Sequence, residues 1–434
     1  MDGSYHNADI NIYDNTLHNH SSHCLNFYCS NIYTTGRGRR VYTRPERGVP
    51  FLSNSDMMAQ NPLMSCNYMS RKYGYDESSV LKGGMILTGR VGAIGQTAFV
   101  PNYWEKYKMM GSDNIIRIVV KDEFKNGFIY AYLASKYGNL SFWKHATGGV
   151  QPFITDKMVA NLPIPDFPAS FQQEVDDLIQ ESARLREEAA DALQQAIQQV
   201  EDIIPYPSKK NVGCVSSRTI LSSHNRRFEA NYYISEGHDI EKYIYKNFKW
   251  KPLGQVCEDI SRPDIFKRYY VQNGIVFLGG ADIFLASPDS KKQLSKTKTT
   301  NITSLAIKEN TILIPRSGTI GNVAWAHAGH AQKLASEDVI RITPNDILRA
   351  GYVYAFLASK YGKKLIQRYI FGSVIQHVEP PHLKLIPVPI IDKKVMDDIH
   401  DKVMVYSSAM GKAIEYERKA ITMVEQEIEK WNKH

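Results

Sequence analysis

YAYLASKYG at residues 130–138 and YAFLASKYG at residues 354–362 are the same nine-residue segment with one substitution, 224 positions apart. Other segments recur in the same order at offsets of 224 to 227: DGSY (2–5) with EANY (229–232), GVPFLSNSDM (48–57) with GIVFLGGADI (274–283), MILTGRVGAIG (85–95) with TILIPRSGTIG (311–321), and LPIP (162–165) with IPVP (386–389). Self-similarity at a fixed spacing is the signature of duplicated structure. The chain of 434 residues is therefore predicted to contain two copies of one globular plan.

Both copies predict the same succession of elements. Apolar, β-branched runs bounded by Gly, Asn and Ser predict strands at Val49–Leu52 and Ile275–Leu278. A strand, a glycine turn and a second strand are predicted over 85–100 and 311–326. A helix follows over 127–137 and 351–361, with Gly138 and Gly362 expected just past its end. The prolines of the last segment predict an extended stretch that closes the globular part.

A long helix is predicted after each copy. Between Ser170 and Ile204 apolar residues recur every three or four positions without Pro or Gly, and a comparable stripe runs over Lys393–His434. At 1.5 Å per residue the first helix would span about 50 Å, too long for one face of a small domain. The two stripes therefore predict a coiled-coil pair, with two independent surface helices as the alternative.

These elements predict an α+β fold with two pseudo-repeated α/β globular domains and two long helices. The expected boundaries are a first domain over 1–165, a central helix over 166–206, a linker and second domain over 207–390, and a last helix over 391–434.

The net charge of +8 is unevenly distributed. Residues 1–165 hold 17 Lys and Arg against 12 Asp and Glu (+5), and residues 207–390 hold 26 against 14 (+12). The helical segments are acidic or nearly neutral, with 2 against 10 over 166–206 (−8) and 8 against 9 over 391–434 (−1). Since phosphate contacts dominate nucleic-acid affinity, two basic domains indicate a polyanionic partner.

The composition indicates a globular protein of a reducing compartment. No run approaches 18 apolar residues, and the first residues have no basic region followed by an apolar run, so neither a membrane span nor a secretory signal is expected. The five cysteines are odd in number and scattered, which favours the cytoplasm over a disulfide framework.

No catalytic motif is recognisable, so the chain is not expected to be an enzyme. It has no GxxxxGK[ST] string, no Asn/Asp-Pro-Pro-Tyr/Phe tetrapeptide and no glycine-rich cofactor loop. Asp56 and Asp282 recur in both copies without a second carboxylate, which favours a role at a strand end or helix cap over a metal pair. A cluster of His and Cys favours a polar loop over a zinc site, because no tight CxxC pair occurs: His18, His20, His23, Cys24 and Cys29.

Candidate DNA contacts follow from the repeat. Shared positions should serve a common task, and divergent loops should read different bases. The shared candidates are Arg90 with Arg316, each either a surface arginine beside a hairpin or a phosphate clamp, and Gln151 with Gln376, interpreted as counterparts. The divergent candidates are Arg37, Arg39, Arg40 and Arg44 in the first copy, and Arg262, Lys267 and Arg268 in the second. Asn54 and His377 complete the set. The insertion SKKQLSKTKTTN (290–301) is expected to be a flexible loop that follows the DNA backbone through Lys291, Lys292, Lys296 and Lys298.

The chain resembles the specificity subunits of type I restriction–modification systems. The residues that carry the resemblance are FLxxxD at 51–56 and 277–282, ILxxRxGxIG at 86–95 and 312–321, the two LASKYG helices, and the run from Ile375 to Pro389. The resemblance covers essentially the whole chain, although a few further residues would be expected before Asp2.

The resemblance implies that each domain recognises one half of a split double-stranded DNA site. It also implies that the two helices pack antiparallel, act as a ruler of roughly 15 base pairs, and dock two copies of a methyltransferase subunit. That partner would methylate adenine at N6 with S-adenosylmethionine, no cofactor being bound by this chain, and a restriction and translocase subunit could join. Alternatives are a specificity factor of another methylation-based phage-defence system, a stand-alone DNA nuclease, or a coiled-coil scaffold.

Overall fold

The computed structural model describes residues 16–17, 20–205, 213–223, 226–372 and 374–431. The DGSY segment of the first repeat and His18 lie outside the described residues. The chain divides into two compact units, one formed by Met1–Glu187 with Lys412–His434 and the other by Glu188–Gly411. Each unit therefore contains one globular copy together with parts of both long helices.

The first copy is built on two small sheets. The four-stranded sheet has the antiparallel order Cys29–Tyr33, Ile115–Val120, Ile86–Gly89, Thr97–Phe99. The three-stranded sheet has Gly48–Leu52 at its centre, antiparallel to Asn67–Ser70 and parallel to Met110–Gly111. The helices of this copy are Leu25–Tyr28, Asn102–Lys106, Asn126–Ala134, Lys136–His145 and Asp156–Ala160.

The second copy repeats both sheets in the same order. Its four-stranded sheet is Cys257–Ser261, Val339–Pro344, Ile312–Pro315, Ala324–Trp325, and its three-stranded sheet is Gln293–Leu294, Tyr270–Leu278, Leu334–Ala335. Its helices are Ser217–Ser222, Ala230–Tyr233, Glu236–Asn247, Ile302–Leu305, Ala350–Ala358, Lys360–Arg368 and Pro380–Leu383. The predicted α+β class and the predicted duplication are confirmed.

The prolines of the closing segments lie in short strands that pair with a strand that precedes the two sheets of the same copy. Pro163–Pro165 is antiparallel to Ser22–Cys24, and Pro387–Ile390 is antiparallel to Lys249–Pro252. Each copy is thus closed by a two-stranded ribbon, defined here as its clasp.

The LASKYG segment is a helix break rather than the helix end that the sequence predicts. One helix ends at Ala134, and Ser135 begins the next by accepting a hydrogen bond from the Gly138 N–H at 3.2 Å. Ser359 and Gly362 repeat this arrangement at 3.3 Å. Gly138 therefore lies inside the second helix, where a Cβ would stand 2.3 Å from the carbonyl oxygen of Tyr132. The glycine permits this close approach and does not terminate a helix.

The two long helices pack together. The first covers Ala169–Ile203 and the second Lys393–Trp431, within one or a few residues of the predicted bounds. In the first unit, residues of both helices share one core cluster: Val175, Ile179, Ala420, Val424 and Ile428. In the second unit, Gln199 Nε2 donates to Asp398 Oδ2 at 2.6 Å. Early residues of one helix thus lie beside late residues of the other, which is an antiparallel arrangement.

A charged network is buried in the first unit. Arg186 on the first long helix donates to Glu417 Oε2 on the second at 2.6 Å, and the Tyr130 hydroxyl donates to Glu417 Oε1 at 2.5 Å. Both charged side chains are about one-seventh exposed. Burial, and then the Glu417 carboxylate, raise the pKa of Tyr130, so its hydroxyl stays protonated and keeps donating.

None of the helices in the described ranges is both long enough and apolar enough to span a membrane.

Candidate nucleic-acid interface

An open cleft of ≈ 550 Å³ lies in the first copy. It forms where five segments meet, namely residues 40–42, the end of the strand Gly48–Leu52, the start of the strand Asn67–Ser70, the turn after Ile86–Gly89, and the loop that precedes Ile115–Val120. Its lining is mainly polar and uncharged: Arg40, Tyr42, Phe51, Ser53, Asn54, Ser55, Asn67, Val91, Gly92, Ala93, Gln96, Ser112 and Asn114. Two of the predicted DNA contacts, Arg40 and Asn54, are among these residues.

Asp56 shapes one wall of this cleft. Its Oδ2 accepts from the backbone N–H and the hydroxyl of Ser53 at 2.9 and 2.5 Å, and a short 3-10 helix begins at Asp56. Asp282 accepts from the Gly279 N–H at 2.8 Å in the same way. The predicted structural role of both aspartates is confirmed.

Asn54 fixes the glycine turn that follows the strand Ile86–Gly89. Its Nδ2 donates to the carbonyl oxygen of Val91 at 2.8 Å, which joins the end of the central strand to the glycine turn. Gly92 and Gly95 in that turn have φ of +75° and +74°, and Gly318 and Gly321 repeat this at +78° and +104°. The side chain of Asn54 thus holds the cleft together.

The two copies share a charged frame. Arg40 is ion-paired with Asp113 and lies over the Phe51 ring at 5.6 Å. In the second copy Arg268 pairs with Glu337 at 2.6 Å and lies over Phe277 at 5.3 Å. The hydrogen bond to Asp113 raises the pKa of Arg40, and the hydrogen bond to Glu337 raises that of Arg268. Both predicted DNA contacts are therefore engaged with a carboxylate of their own copy.

A second repeated arginine was not among the predicted contacts. Arg117 is fully buried and donates to the carbonyl oxygens of Gly111 and Ile115 at 2.5 and 2.8 Å. Arg341 donates to Ala335 and Val339 at 2.8 and 2.6 Å, and burial lowers its pKa to about 10. The signal was the recurrence of GSDNIIRI (111–118) as ASEDVIRI (335–342). These arginines tie the two sheets of each copy together.

The remaining arginines of the first copy are available to a ligand. Arg37, Arg39 and Arg44 are exposed in the segment that leads to and from Arg40, and none of their side chains has a hydrogen bond or ion pair with the described residues. Arg90 is half-buried, and its backbone bonds to Asn114 and Ile154 fix the edge of the cleft. Its guanidinium likewise has no such bond within the described ranges.

In the second copy the corresponding arginines are paired. Arg262 Nε donates to Glu379 Oε2 at 2.9 Å, and Arg316 Nε donates to Glu379 Oε1 at 2.7 Å. Arg316 also lies 3.3 Å from Asp338. Arg90 and Arg316 thus share a backbone position but differ in their charge environment.

The lysine-rich segment is more ordered than the sequence predicts. Gln293 and Leu294 form a strand with Tyr270–Leu278, and Leu294 is fully buried. This strand corresponds to Asn67–Ser70 of the first copy, so the segment 290–301 is not an insertion and includes a strand of the three-stranded sheet. The predicted lysines remain exposed around it: Lys267, which lies 5.2 Å over the Tyr269 ring, and Lys291, Lys292, Lys296 and Lys298.

Two hairpin loops carry the remaining candidates. Backbone bonds join Thr147 with Phe153 in the first copy and Phe371 with His377 in the second. When the two loops are aligned on these bonds, the residue equivalent to Gln376 is Pro152 and not Gln151. The predicted correspondence was therefore wrong by one residue. Gln151 and Gln376 are both exposed, and His377 is half-buried.

The histidine and cysteine cluster is dispersed among aromatic and acidic neighbours. His20 stacks on Trp431 at 3.9 Å, and His23 lies 3.9 Å from Asp166. Cys24 is exposed and Cys29 is buried. Within the described ranges no three His, Cys, Asp or Glu residues are arranged to hold a metal ion.

Residues 245–401 match the family model described as the type I restriction modification DNA specificity domain. The resemblance drawn from the sequence is thereby confirmed. Among curated proteins, none matches the chain.

Solved structures of low similarity also match over nearly the full length. The type I restriction-modification system S subunit from M. genitalium is 13% identical, with 95% of this chain and 96% of that chain covered and a TM-score of 0.35. The HsdS subunit from Thermoanaerobacter tengcongensis is 13% identical over 94% and 95%, with a TM-score of 0.29. A chain from a study of assembly and conformational transition of the type I R-M system is 15% identical over 94% and 97%, with a TM-score of 0.29.

Proposed function

Because this chain carries a type I restriction modification DNA specificity domain, we propose that it is the non-catalytic subunit that recognises a bipartite DNA site for a partner methyltransferase. Residues 1–165 and 207–390 are the two recognition domains in this proposal. Residues 166–206 and 391–434 set the distance between the half-sites. The chain acts on DNA in the cytoplasm.

One observation carries the proposal, the combination of an equivalent frame with a divergent lining in the two copies. Arg40 and Arg268 are each paired with a carboxylate and stacked over a phenylalanine. Around that frame, Asn54 of the first copy is replaced by Gly280 in the second, and Asn114 by Asp338. A shared scaffold with different polar groups suits two domains that contact the same polymer but discriminate different bases.

Basic side chains supply the contact to the DNA backbone in this proposal. In the first copy these are Arg37, Arg39, Arg44 and Arg90, and in the second the exposed lysines around 291–298. Arginine and lysine at such positions bind phosphate in a manner that weakens as salt rises.

The long helices are the proposed docking site for protein partners. Two copies of the methyltransferase subunit bind them, each with its own S-adenosylmethionine, and methylate adenine at N6. A restriction and translocase subunit can join the same assembly. The acidic charge of 166–206 (2 basic against 10 acidic residues) suits a protein partner better than a nucleic acid.

Methylome sequencing of cells with the methyltransferase, with and without this chain, tests the proposal. We expect a two-part motif with a fixed spacer that disappears when the chain is removed. Replacement of residues 1–165 by the corresponding domain of a relative should change one half of the motif only. A motif that persists without the chain, or in which both halves change, would contradict the proposal.

A further inference from the structure

Three exposed amide side chains line the cleft of the first copy: Asn67, Gln96 and Asn114. Asn67 begins a strand, Gln96 ends the glycine turn, and Asn114 precedes the strand Ile115–Val120, so three separate segments supply them. None of the three has a side-chain hydrogen bond to the described part of the chain. Each therefore presents a free donor and a free acceptor to whatever enters the cleft.

The only charged group in the lining is Arg40, and it is ion-paired with Asp113. Lysine and arginine read guanine through O6 and N7, whereas an amide matches the N6 donor and N7 acceptor of adenine. A cleft with free amides and a neutralised arginine is thus complementary to adenine rather than guanine.

The second copy lacks this set of amides. Asn67 corresponds to Lys292, because the Phe277 N–H donates to the Lys292 carbonyl oxygen at the position where Phe51 pairs with Asn67. Asn114 corresponds to Asp338, because the backbone carbonyl oxygen of each accepts from the backbone N–H of the arginine in the glycine turn. The side chain of Asp338 pairs with Arg316.

The position of Gln96 also holds an amide side chain in the second copy, but that side chain is buried. Gln96 corresponds to Asn322, which is 7% exposed. The exposed amides are therefore a property of the first copy alone.

We propose that Asn67, Gln96 and Asn114 are specificity-determining residues that read adenine in the half-site bound by the first copy. The inference rests on the proposed function, which it deepens by naming the base. Asn54 is a positioning residue in this scheme, because its amide nitrogen is bonded to Val91 and holds the turn that carries Gln96.

The proposed adenine contacts can be tested by selecting DNA duplexes from a random library with the full-length chain and its methyltransferase subunit. The wild type should enrich a two-part motif with adenine in one half. Asn67→Ala, Gln96→Ala or Asn114→Ala should reduce the preference for that adenine by about 5- to 150-fold for each residue that makes a two-bond contact. The other half of the motif should not change.

Asn114→Asp separates an altered specificity from a loss of folding, because it is expected to create a new base preference, which a misfolded variant would not show. A carboxylate only accepts, so the preference at one position should move from adenine towards cytosine, whose N4 donates. Asn31→Ala is the matched control, since Asn31 is an exposed amide of the same copy outside the cleft, and it should leave the motif unchanged.

The outcomes separate the inference from the function. If the wild type enriches a two-part motif that none of the cleft variants alters, the inference is overturned and the proposed function stands. If the wild type enriches no two-part motif, the proposed function itself is overturned.

Discussion

The backbone N–H of Gly351 donates to Nδ1 of His400 at 3.0 Å. At the same place in the first copy, the N–H of Gly127 donates to Oδ1 of Asp176 at 2.7 Å. The first turn of the equivalent helix is thus held to a long helix by a carboxylate in one copy and by an imidazole in the other. An imidazole can accept at Nδ1 only while that nitrogen carries no proton.

This difference predicts a pH dependence that belongs to the second copy. Burial, and then the Arg349 guanidinium, lower the pKa of His400 in the folded chain. The unfolded chain therefore binds more protons as the pH falls below about 6.5, and the free energy of unfolding falls with it. His400→Asp should reduce that loss, measured by denaturant titration at pH 7.5 and 5.5. Equal losses in the variant and the wild type would contradict the assignment.

The buried network of Arg186, Glu417 and Tyr130 should be sensitive to the loss of one member. Glu417→Ala removes the carboxylate with which the buried Arg186 guanidinium is paired, and we expect it to lower the free energy of unfolding by about 3–5 kcal/mol. Denaturant titration of the full chain measures the change. A loss below about 1 kcal/mol would show that solvent satisfies the guanidinium.

The second copy indicates how to replace the ion pair of this network. At the offset of 224 that relates Asp176 to His400, Arg186 corresponds to Met410, and Glu417 corresponds to Leu193. The triple variant Tyr130→Phe, Arg186→Met, Glu417→Leu should therefore be as stable as the wild type or more stable by up to about 4 kcal/mol. A triple variant as unstable as Glu417→Ala would mean that packing, rather than charge, decides this site.

Gly138 should not tolerate a side chain. An added Cβ would meet the Tyr132 carbonyl oxygen at 2.3 Å and the Leu133 Cα at 2.5 Å, both backbone atoms that cannot move aside. Gly138→Ala should lower the free energy of unfolding by about 1–3 kcal/mol, measured by thermal or denaturant unfolding. Gly149→Ala is the matched control, because a Cβ there meets nothing within 4 Å, and it should stay within about 0.5 kcal/mol of the wild type.

Arg90 and Arg316 should differ in their effect on DNA binding. Arg90→Ala should remove one phosphate contact and lower the slope of log K against log salt by about 0.9. Arg316→Ala should leave the slope unchanged, because the Arg316 guanidinium is already ion-paired with Glu379 and Asp338. Fluorescence anisotropy between 50 and 200 mM salt measures both, and equal slopes for the two variants would contradict the distinction.

The repeat predicted the fold class, the strands and both long helices because hydrophobic periodicity is a local property of the chain. The break at Ser135 could not be predicted in the same way. Its cause is a close approach of Gly138 to the Tyr132 carbonyl, whereas a glycine after an apolar run usually marks a helix end. Arg117 was missed because its carbonyl partners come together only when two sheets are assembled.

Sequence reasoning found the arginine-rich segment but not which arginines are available. Arg262 and Glu379 are 117 positions apart, and only the fold brings them to 2.9 Å. Asn67, Gln96 and Asn114 likewise come from three separate segments, and no local pattern marks them.

Under the proposed function, the clasp of each copy allows one recognition domain to be exchanged for another. Ser22–Cys24 lies beside Pro163–Pro165, and Lys249–Pro252 lies beside Pro387–Ile390, so in each domain the strand before the two sheets lies beside the strand after them. A genetic exchange with its two junctions in the clasp would replace all the DNA-reading loops while the long helices stay intact. A new target sequence could thus be acquired in one recombination event, without a new partner for the methyltransferase.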